Sequence, residues 1–369
     1  MKIIYSGFDT IIFAIKGAAK PSLIMQLQIY KQSAKEKQTD VAVNFDDGAL
    51  RGLIAPTGMK GGYAYIIKLG GELGHVISLK KNLNRQLWNV HVKIRALALA
   101  CYGWEGAVKR ALSDLKRLGV SNHEISLNRV DYAMDYLNAG ILLKPADFVA
   151  HARVKKTAHK IDLNSYSRGQ ICESVTLGKM PNRQIIVYDK RREVTEKRKP
   201  AWFEIWGINP TDITLTVHRV EVRLGKDQLS NSDIKTFDDF KARINVLMTR
   251  AVHVVRYVRP NDDQNVSRWP NHPLWNHVQA HVKEHVLKNP NCVDIPRVKH
   301  VIRSQKAIES QKQIIGNMAG YSVFMDMEAD DMKADMVKFI DNQFSRIEAD
   351  DTHPFWKSRA RTQDKFEFL

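Results

Sequence analysis

The sequence predicts an α+β fold, with a largely antiparallel sheet and flanking helices in the main domain and a mainly helical C-terminal extension. Three observations support this prediction. Short strand-like runs separated by Gly-rich turns fill the first third, alternating runs recur in the central third, and amphipathic helices lie between them. Strands that surround occasional helices, rather than alternate with them, are typical of an antiparallel α+β domain.

The N-terminal third begins with an alternating strand over residues 2–15 and a helix over 21–37. Four short strands then form a predicted meander, at 41–44, 49–54, 63–69 and 75–79. A further strand is predicted at 89–98, followed by an amphipathic helix from about 104 to 118. Gly119 is suited to end that helix.

The central third contains three clear strands, at 126–137, at 172–177 leading into 184–189, and at 215–224. A long amphipathic helix is predicted at 238–257. Pro260 and its polar neighbours then indicate a boundary, because the composition beyond them favours helices. We therefore predict two domains, 1–259 and 260–369.

The charge balance indicates a nucleic-acid partner. The chain has 57 Lys and Arg against 40 Asp and Glu, a net charge of +17, as expected for a protein that neutralises phosphates. The sequence contains no run of about 18 apolar residues, so no membrane-spanning helix is predicted. Three cysteines match neither a zinc motif nor a disulfide framework, and the N-terminus does not resemble a signal peptide, so a cytoplasmic location is expected.

An acidic segment interrupts this basic chain. Residues 326–351 carry nine acidic and three basic side chains, so the basic surface lies before the tail. The segment is interpreted either as a solvated helix face or as a helix that binds a partner or competes with DNA.

Tyr188 and Asp189 end an apolar strand and open onto a cationic run. A tyrosine phenol has a pKa near 10 in its unperturbed state and becomes a useful nucleophile only beside a cation, a metal or a base. This pattern is suited to metal-assisted attack on a phosphodiester. In a straight strand Tyr188 and Asp189 would face opposite sides, so one site needs a strand end, bulge or twist here.

Two other strands carry acids beside cations. Asp131 and Asp135 share a strand face, and Glu221 lies between Arg219 and Arg223 on another strand. If these strands adjoin the one ending at Tyr188, then Asp131 or Asp135, Glu221 and Asp189 would form an oxygen-rich pocket for Mg²⁺ or Mn²⁺. The alternative is a polar sheet face with Arg and carboxylate pairs across strands.

The cationic run at 190–199 is followed by Trp202, Phe203 and Trp206. Cations and nearby aromatic rings suit single-stranded DNA, because phosphates bind the former and bases stack on the latter. The alternative is a solvated hairpin with core tryptophans. By position, Lys190 is the residue expected to contact the reacting phosphate.

Four motifs in order resemble the replication initiation factor family of rolling-circle initiators. The chain carries Arg-x-Asp-x-x-x-Asp at 129–135, a strand and Gly ending at Gly178, Tyr-Asp-Lys at 188–190, and Arg-x-Glu at 219–221. The agreement covers roughly residues 5 to 280, and the length and acidic C-terminal region are most similar to filamentous phage or prophage members. Lys179 and Met180 depart from the family, since many relatives have Gly-Ser-Arg in that turn.

The resemblance implies a sequence-specific, metal-dependent nickase. Its catalytic residues would be Tyr188 and Lys190, its metal ligands Asp131, Asp135, Asp189 and Glu221, and its cofactor Mg²⁺ or Mn²⁺. DNA contacts are assigned to seven cations: Arg129, Lys179, Arg183, Arg191, Arg192, Arg219 and Arg223.

Tyr188 would join the 5′ phosphate of origin DNA, double-stranded and then single-stranded, and leave a free 3′ hydroxyl. A host helicase and DNA polymerase would use that end, and the strand would later be rejoined. Closing the circle needs a second nucleophile or subunit, and a homodimer or a water-based termination is expected.

Three alternatives remain at this point. A conjugative relaxase would use the same chemistry, and a non-catalytic DNA-binding regulator would keep the fold with Tyr188 as a packed aromatic. The third concerns His281 and His285, which match an inverted zinc-protease motif with His277 one turn earlier. A histidine-rich helix near DNA, or a partly buried one, is the favoured interpretation of that segment.

Overall fold

A computed structural model of the chain describes residues 1–121, 124–150, 163–168, 171–288, 293–328 and 330–366. It divides into two compact units, Met1–Ile295 and Pro296–Leu369. The first unit continues past the boundary predicted after residue 259, because the helix that follows packs onto it. There Trp275 donates an indole hydrogen bond of 2.9 Å to the carbonyl of Val252.

Thirteen strands occur in the described residues. They are β1 (Lys2–Lys16), β2 (Val41–Phe45), β3 (Leu50–Ile54), β4 (Tyr65–Leu69), β5 (His75–Leu79), β6 (Trp88–Ile94), β7 (Glu124–Leu137), β8 (Phe148–Ala150), β9 (Leu163–Arg168), β10 (Ile171–Lys179), β11 (Arg183–Asp189), β12 (Val217–Gly225) and β13 (Val255–Tyr257).

Ten α-helices accompany them in the same ranges. They are α1 (Pro21–Glu36), α2 (Ala96–Arg117), α3 (Lys190–Glu196), α4 (Ala201–Trp206), α5 (Lys226–Ser230), α6 (Phe237–Val254), α7 (Pro273–His285), α8 (Ile295–Phe324), α9 (Met332–Glu348) and α10 (Pro354–Phe366).

Eleven strands form one sheet in the order β2-β3-β4-β5-β6-β1-β7-β12-β11-β10-β9, and every neighbouring pair is antiparallel. β8 and β13 pair separately. The predicted α+β class and the meander of β2 to β5 are therefore confirmed. The two long strands β1 and β7 lie in the middle, so the residues that they carry are covered by strands on both sides.

One face of the central strands packs against helices. Phe8 of β1 contacts the rings of Tyr132 on β7 and Phe240 on α6, with centroids 5.3 Å apart in each pair. Helix α6 begins at a capping box in which Thr236 and Asp239 satisfy each other's backbone N–H groups. This apolar layer leaves the polar residues of the same strands on the opposite face.

Three predicted elements differ from the structure at their ends. The strand predicted over 89–98 ends at Ile94, and α2 begins at Ala96 rather than near 104. The hydrophobic periodicity of α2 is interrupted at Gly103, because its φ of 65° breaks the helix into two differently oriented parts. The helix predicted to reach residue 257 ends at Val254, since Val255 to Tyr257 pair with β8.

The second unit consists of helices, as predicted for the C-terminal extension. The ring of Tyr321 on α8 packs against that of Phe339 on α9 with centroids 4.6 Å apart, and the indole N–H of Trp356 on α10 donates to the carbonyl of Ile347 at 3.0 Å. The acidic segment around 326–351 lies mostly on α9. Within the described ranges, no helix is both long enough and apolar enough to cross a membrane.

Candidate active site

A row of paired residues crosses four central strands on the polar face of the sheet. Tyr188 on β11 pairs with Arg219 on β12, which pairs with Asp135 on β7, which pairs with Tyr5 on β1. Directly paired residues of antiparallel strands project to the same face. The structure therefore places β7 and β12, which carry the acids, next to β11, which carries Tyr188.

Arg219 is the fully buried centre of this row. Its guanidinium donates to both carboxylate oxygens of Asp135, at 2.6 and 2.8 Å, and to Asp9 at 2.5 Å. Burial alone would lower the pKa of Arg219, but Asp135 raises it well above its usual value. A buried guanidinium with two carboxylate partners stays charged and fixed in orientation.

Aromatic residues of α4 cover this ion cluster. The indole N–H of Trp206 donates to Asp135 at 2.7 Å, and the Arg219 guanidinium lies 4.5 Å from the ring centroid of Trp202. The ring of Tyr5 packs edge-on against Trp202 at 5.2 Å. The cluster is thus enclosed between the sheet and α4, where charges interact strongly because water is excluded.

Tyr188 has its phenol beside a carboxylate. The Tyr188 hydroxyl donates to Glu221 at 3.2 Å. Burial raises the pKa of the Tyr188 phenol well above its usual value, opposed by Arg219 and reinforced by Glu221. The phenol is therefore protonated at neutral pH and needs a base before it can attack, and Glu221 is within reach to accept the proton.

Lys190 lies next to Tyr188 at the start of α3 and is 5% exposed. Its ammonium is 5.7 Å from the Tyr188 ring centroid, 5.1 Å from that of Trp202, and forms a 2.6 Å ion pair with Glu193. Burial, and then the neighbouring Arg219, lower the pKa of Lys190. The structure thus brings together both predicted catalytic side chains.

Asp131 lies on the same strand face as Asp135, two alternating positions away and opposite Arg223, and is 1% exposed. Arg129 donates to both of its oxygens at 2.7 to 3.0 Å. Burial raises the pKa of Asp131 to about 6, Arg129 opposes this shift, and the charge of Glu221 adds to it. Asp131 and Glu221 are therefore close enough to repel each other, and Arg223 links them at 2.7 Å to Glu221 and 3.9 Å to Asp131.

Asp189 is not brought together with the other predicted metal ligands. It pairs across the sheet with His218, on the opposite face from Tyr188, and its carboxylate accepts from the backbone N–H of Arg192 at 2.9 Å. The strand ends here and Asp189 caps α3. The twist that would aim Tyr188 and Asp189 at one phosphate does not occur.

The predicted pocket of Asp131 or Asp135 with Glu221 and Asp189 is not assembled. Asp135 is held by Arg219 and Trp206, and Asp189 caps a helix. In the described part of the chain, no three His, Cys, Asp or Glu side chains converge as metal ligands would. Asp131 and Glu221 still fit a magnesium ion, because Mg²⁺ is commonly held by one or two carboxylates together with substrate phosphates and water.

The seven cations assigned to DNA contact fall into two groups. Five have protein partners: Arg129, Arg219 and Arg223 pair with site carboxylates, Arg191 donates to the carbonyls of Pro210 and Asp212, and Arg192 pairs with Glu173 and Glu196. The other two, Lys179 and Arg183, flank the β10–β11 turn. Lys179 is exposed and Arg183 is half-buried, and because the two pair directly with each other, strand alternation puts both on the face opposite Tyr188.

The aromatic residues after the cationic run do not form a surface for bases. Trp202, Phe203 and Trp206 are 2%, 7% and 5% exposed. The alternative interpretation, core tryptophans, is the correct one for these residues, although they sit on a helix rather than a hairpin. The sequence pattern was misleading because a short amphipathic helix and a stacking surface both need aromatics near cations.

Asp9 is a site residue that the sequence analysis missed. The register of β1 against β7 shifts between Phe8 and Thr10, so Asp9 occupies a bulge that lets it reach Arg219. Burial opposes ionisation, but Arg219 and then Lys190 hold the pKa of Asp9 below its usual value. The sequence did contain one indication of this role, because Asp9 is a lone carboxylate in an otherwise largely apolar strand, and a buried carboxylate needs a partner.

The histidines of α7 lie on the other face of the sheet. His281 is half-buried, stacks on His285 with centroids 4.7 Å apart, and shares a 3.2 Å hydrogen bond with the Tyr132 hydroxyl. Burial, and then His285 and His277, lower the pKa of His281 to about 4. These contacts match the favoured interpretation of a partly buried histidine helix.

Comparison with known proteins finds similarity among solved structures only at low sequence identity. No protein-family model and no curated protein matches the sequence. Among solved structures, the chain is similar to a rolling circle replication initiator protein from Geobacillus stearothermophilus. The alignment has a TM-score of 0.40 and 13% identity, and it covers 77% of this chain and 98% of that chain.

Proposed function

We propose that this chain is a tyrosine-dependent DNA nickase that initiates rolling-circle replication. The observation that supports it best is the hydrogen bond from the Tyr188 hydroxyl to Glu221, beside the buried cations Arg219 and Lys190. A protonated nucleophile, a base in contact with it and positive charge beside it are the groups that attack on a phosphodiester requires.

In the proposed reaction the Tyr188 oxygen bonds to phosphorus and the bond from phosphorus to the 3′ oxygen breaks. The phenolic proton passes to Glu221, and the departing 3′ oxygen takes a proton from water. The product is a 5′-phosphotyrosine link with a free 3′ hydroxyl. Rejoining reverses these steps and returns the proton from Glu221 to Tyr188.

Arg219 and Lys190 have different roles in this proposal. Arg219 is held by Asp9 and Asp135, so it acts as a fixed positive charge under the tyrosine and does not follow the substrate. Lys190 has Glu193 as its ion-pair partner and lies close to the Tyr188 ring. It is the cation that we place against the reacting phosphate.

We further propose that Asp131 and Glu221 Oε1, which now accepts from Arg223, would hold a Mg²⁺ or Mn²⁺ ion together with the phosphate, while Glu221 Oε2 would take the Tyr188 proton. When bound, such an ion offsets the charge that develops on the phosphate oxygens. The nearness of the two carboxylates supports this assignment, because Glu221 repels the charged form of Asp131 and a cation between them would relieve that repulsion.

Origin DNA is the proposed substrate, with a host DNA polymerase that extends the 3′ end and a host helicase as partners. The net charge of +17 supports binding to duplex and single-stranded DNA. A homodimer would supply the second tyrosine that circle closure requires.

The test uses the full chain and a supercoiled plasmid into which the replicon that encodes it has been cloned. With Mg²⁺ or Mn²⁺, open circles carrying covalently attached protein are expected, and EDTA should abolish them. Open circles that still form with Tyr188→Phe would contradict the proposed chemistry. DNA binding without nicking by the wild-type chain would instead favour the non-catalytic regulator.

A further inference from the structure

Tyr166 extends the row of Tyr188 toward the edge of the sheet. On β9 it pairs with Ser174 of β10, and Ser174 pairs in turn with Tyr188 of β11. Because directly paired residues project to one face, Tyr166 lies on the same face as Tyr188, two strands away. Two strand spacings place the two Cα atoms roughly 10 Å apart.

Tyr166 is open to solvent, which distinguishes it from the other aromatics of this region. It is 56% exposed, whereas Trp202 is 2% exposed and Trp206 is 5% exposed. Its neighbours Ser165 and Ser167 are small and exposed, so they do not shield its ring. In the sheet order β9 is an outer strand, and so the row ends at Tyr166.

We propose that Tyr166 is a binding residue for single-stranded DNA, on which an unpaired base next to the scissile phosphate stacks. This inference rests on the proposed function, since that places the phosphate at Tyr188. Tyr166 has a planar, exposed ring about one nucleotide away from Tyr188. Such a ring can stack on any base, whatever its sequence. The buried tryptophans cannot do so, although the sequence pattern pointed to them.

Stacking would also position the strand. A base fixed on Tyr166 leaves its neighbouring phosphate free to approach Tyr188 along the row, across Ser174, which presents only a small side chain between the two rings. Tyr166 would therefore act as a positioning residue for the strand.

The test measures binding of a fluorescein-labelled oligo(dT) to the full-length protein by anisotropy. Tyr166→Ala should weaken binding about 5- to 150-fold, the range of one stacked base, and Tyr166→Leu should weaken it similarly. Tyr166→Trp should retain wild-type affinity because it keeps an aromatic face. Phe324→Ala, at an 86% exposed aromatic of the second unit, is the matched control and should bind normally.

Salt dependence separates stacking from charge. Tyr166→Ala should leave the slope of log affinity against log salt unchanged, because a ring that stacks on a base neutralises no phosphate charge. Binding by Tyr166→Ala within twofold of wild type, or full rescue by leucine, would overturn the inference.

Failure of this inference can be told apart from failure of the proposed function. If the wild-type chain forms no covalent adduct but Tyr166→Ala loses oligo(dT) binding, the nickase proposal fails and the stacking site stands. If the adduct forms normally and Tyr166→Ala binds and reacts as wild type, only the stacking site is wrong.

Discussion

Arg219 and Asp135 form a bidentate ion pair in which both side chains are fully buried. Its two N–H···O distances are 2.6 and 2.8 Å. The pair joins β12 to β7 on the same sheet face as the candidate nucleophile, which pairs with Arg219 from the next strand. Asp9 adds a third charge from β1, so one guanidinium connects three strands of the sheet. Any change at this pair is expected to alter both stability and the position of Tyr188.

Asp135→Ala should lower the free energy of unfolding by about 3 to 5 kcal/mol, because it leaves a buried guanidinium with one of its two carboxylates. Urea denaturation of the variant and wild type measures this. Arg117→Ala, which breaks the partly exposed pair with Asp46, is the control and should cost about 0 to 1 kcal/mol. A loss below about 1 kcal/mol for Asp135→Ala would contradict the central role of the buried pair.

Glu221→Gln should slow adduct formation by about 10² to 10⁴, the usual contribution of a general base. Affinity for oligo(dT) should change little, because the substitution leaves the stacking site intact. Single-turnover adduct formation measures the rate. A variant that reacts at the wild-type rate would show that the proton of Tyr188 goes elsewhere.

Asp131→Asn should flatten the pH dependence of stability. The folded-state pKa of Asp131, about 6, exceeds the usual 3.8, so the folded protein keeps a proton that the unfolded chain releases. The free energy of unfolding therefore falls as pH rises from about 4 to 6. Above that range the full loss, roughly 3 kcal/mol, is present.

Urea denaturation in EDTA between pH 4.5 and 7.5 measures this slope. Glu124→Gln, at a half-exposed carboxylate paired with Lys16, should keep the wild-type slope. If the stability of Asp131→Asn declined with rising pH as steeply as that of wild type, other groups would be responsible for the pH dependence.

Asp189 provides a test of helix capping against metal binding. Asp189→Ala should cost about 0.5 to 2 kcal/mol, whereas Asp189→Asn should cost a few tenths, since asparagine still accepts from the N–H of Arg192. Asp189→Asn should also form the adduct. If it unfolds normally but no longer reacts with DNA, Asp189 belongs to the catalytic site after all.

Much of this site could be predicted from sequence because strand alternation fixes which residues share a face. Asp131, Asp135, Arg219, Glu221 and Tyr188 all follow the period of two, and the structure places them on one face. Asp189 breaks the pattern for the same reason: the next position of a strand projects to the opposite side.

Other features depend on tertiary packing that no local pattern encodes. Asp9 reaches Arg219 only because β1 bulges, and the pairing that produces the bulge joins residues more than 100 positions apart. Trp202 and Trp206 are buried because α4 folds back onto the sheet. Tyr166 gains its place in the row from pairing of β9 with β10, so its sequence surroundings gave no indication of a role.

The central claim is that Tyr188 becomes covalently joined to DNA. Its most direct test is mass spectrometry of the peptides from an adduct between the full chain and its cleaved replicon DNA, with Tyr166→Phe as a matched tyrosine control. We predict a nucleotide-modified peptide containing Tyr188, present in Tyr166→Phe and absent from Tyr188→Phe. A modification on any other residue, or an adduct that persists in Tyr188→Phe, would contradict the account.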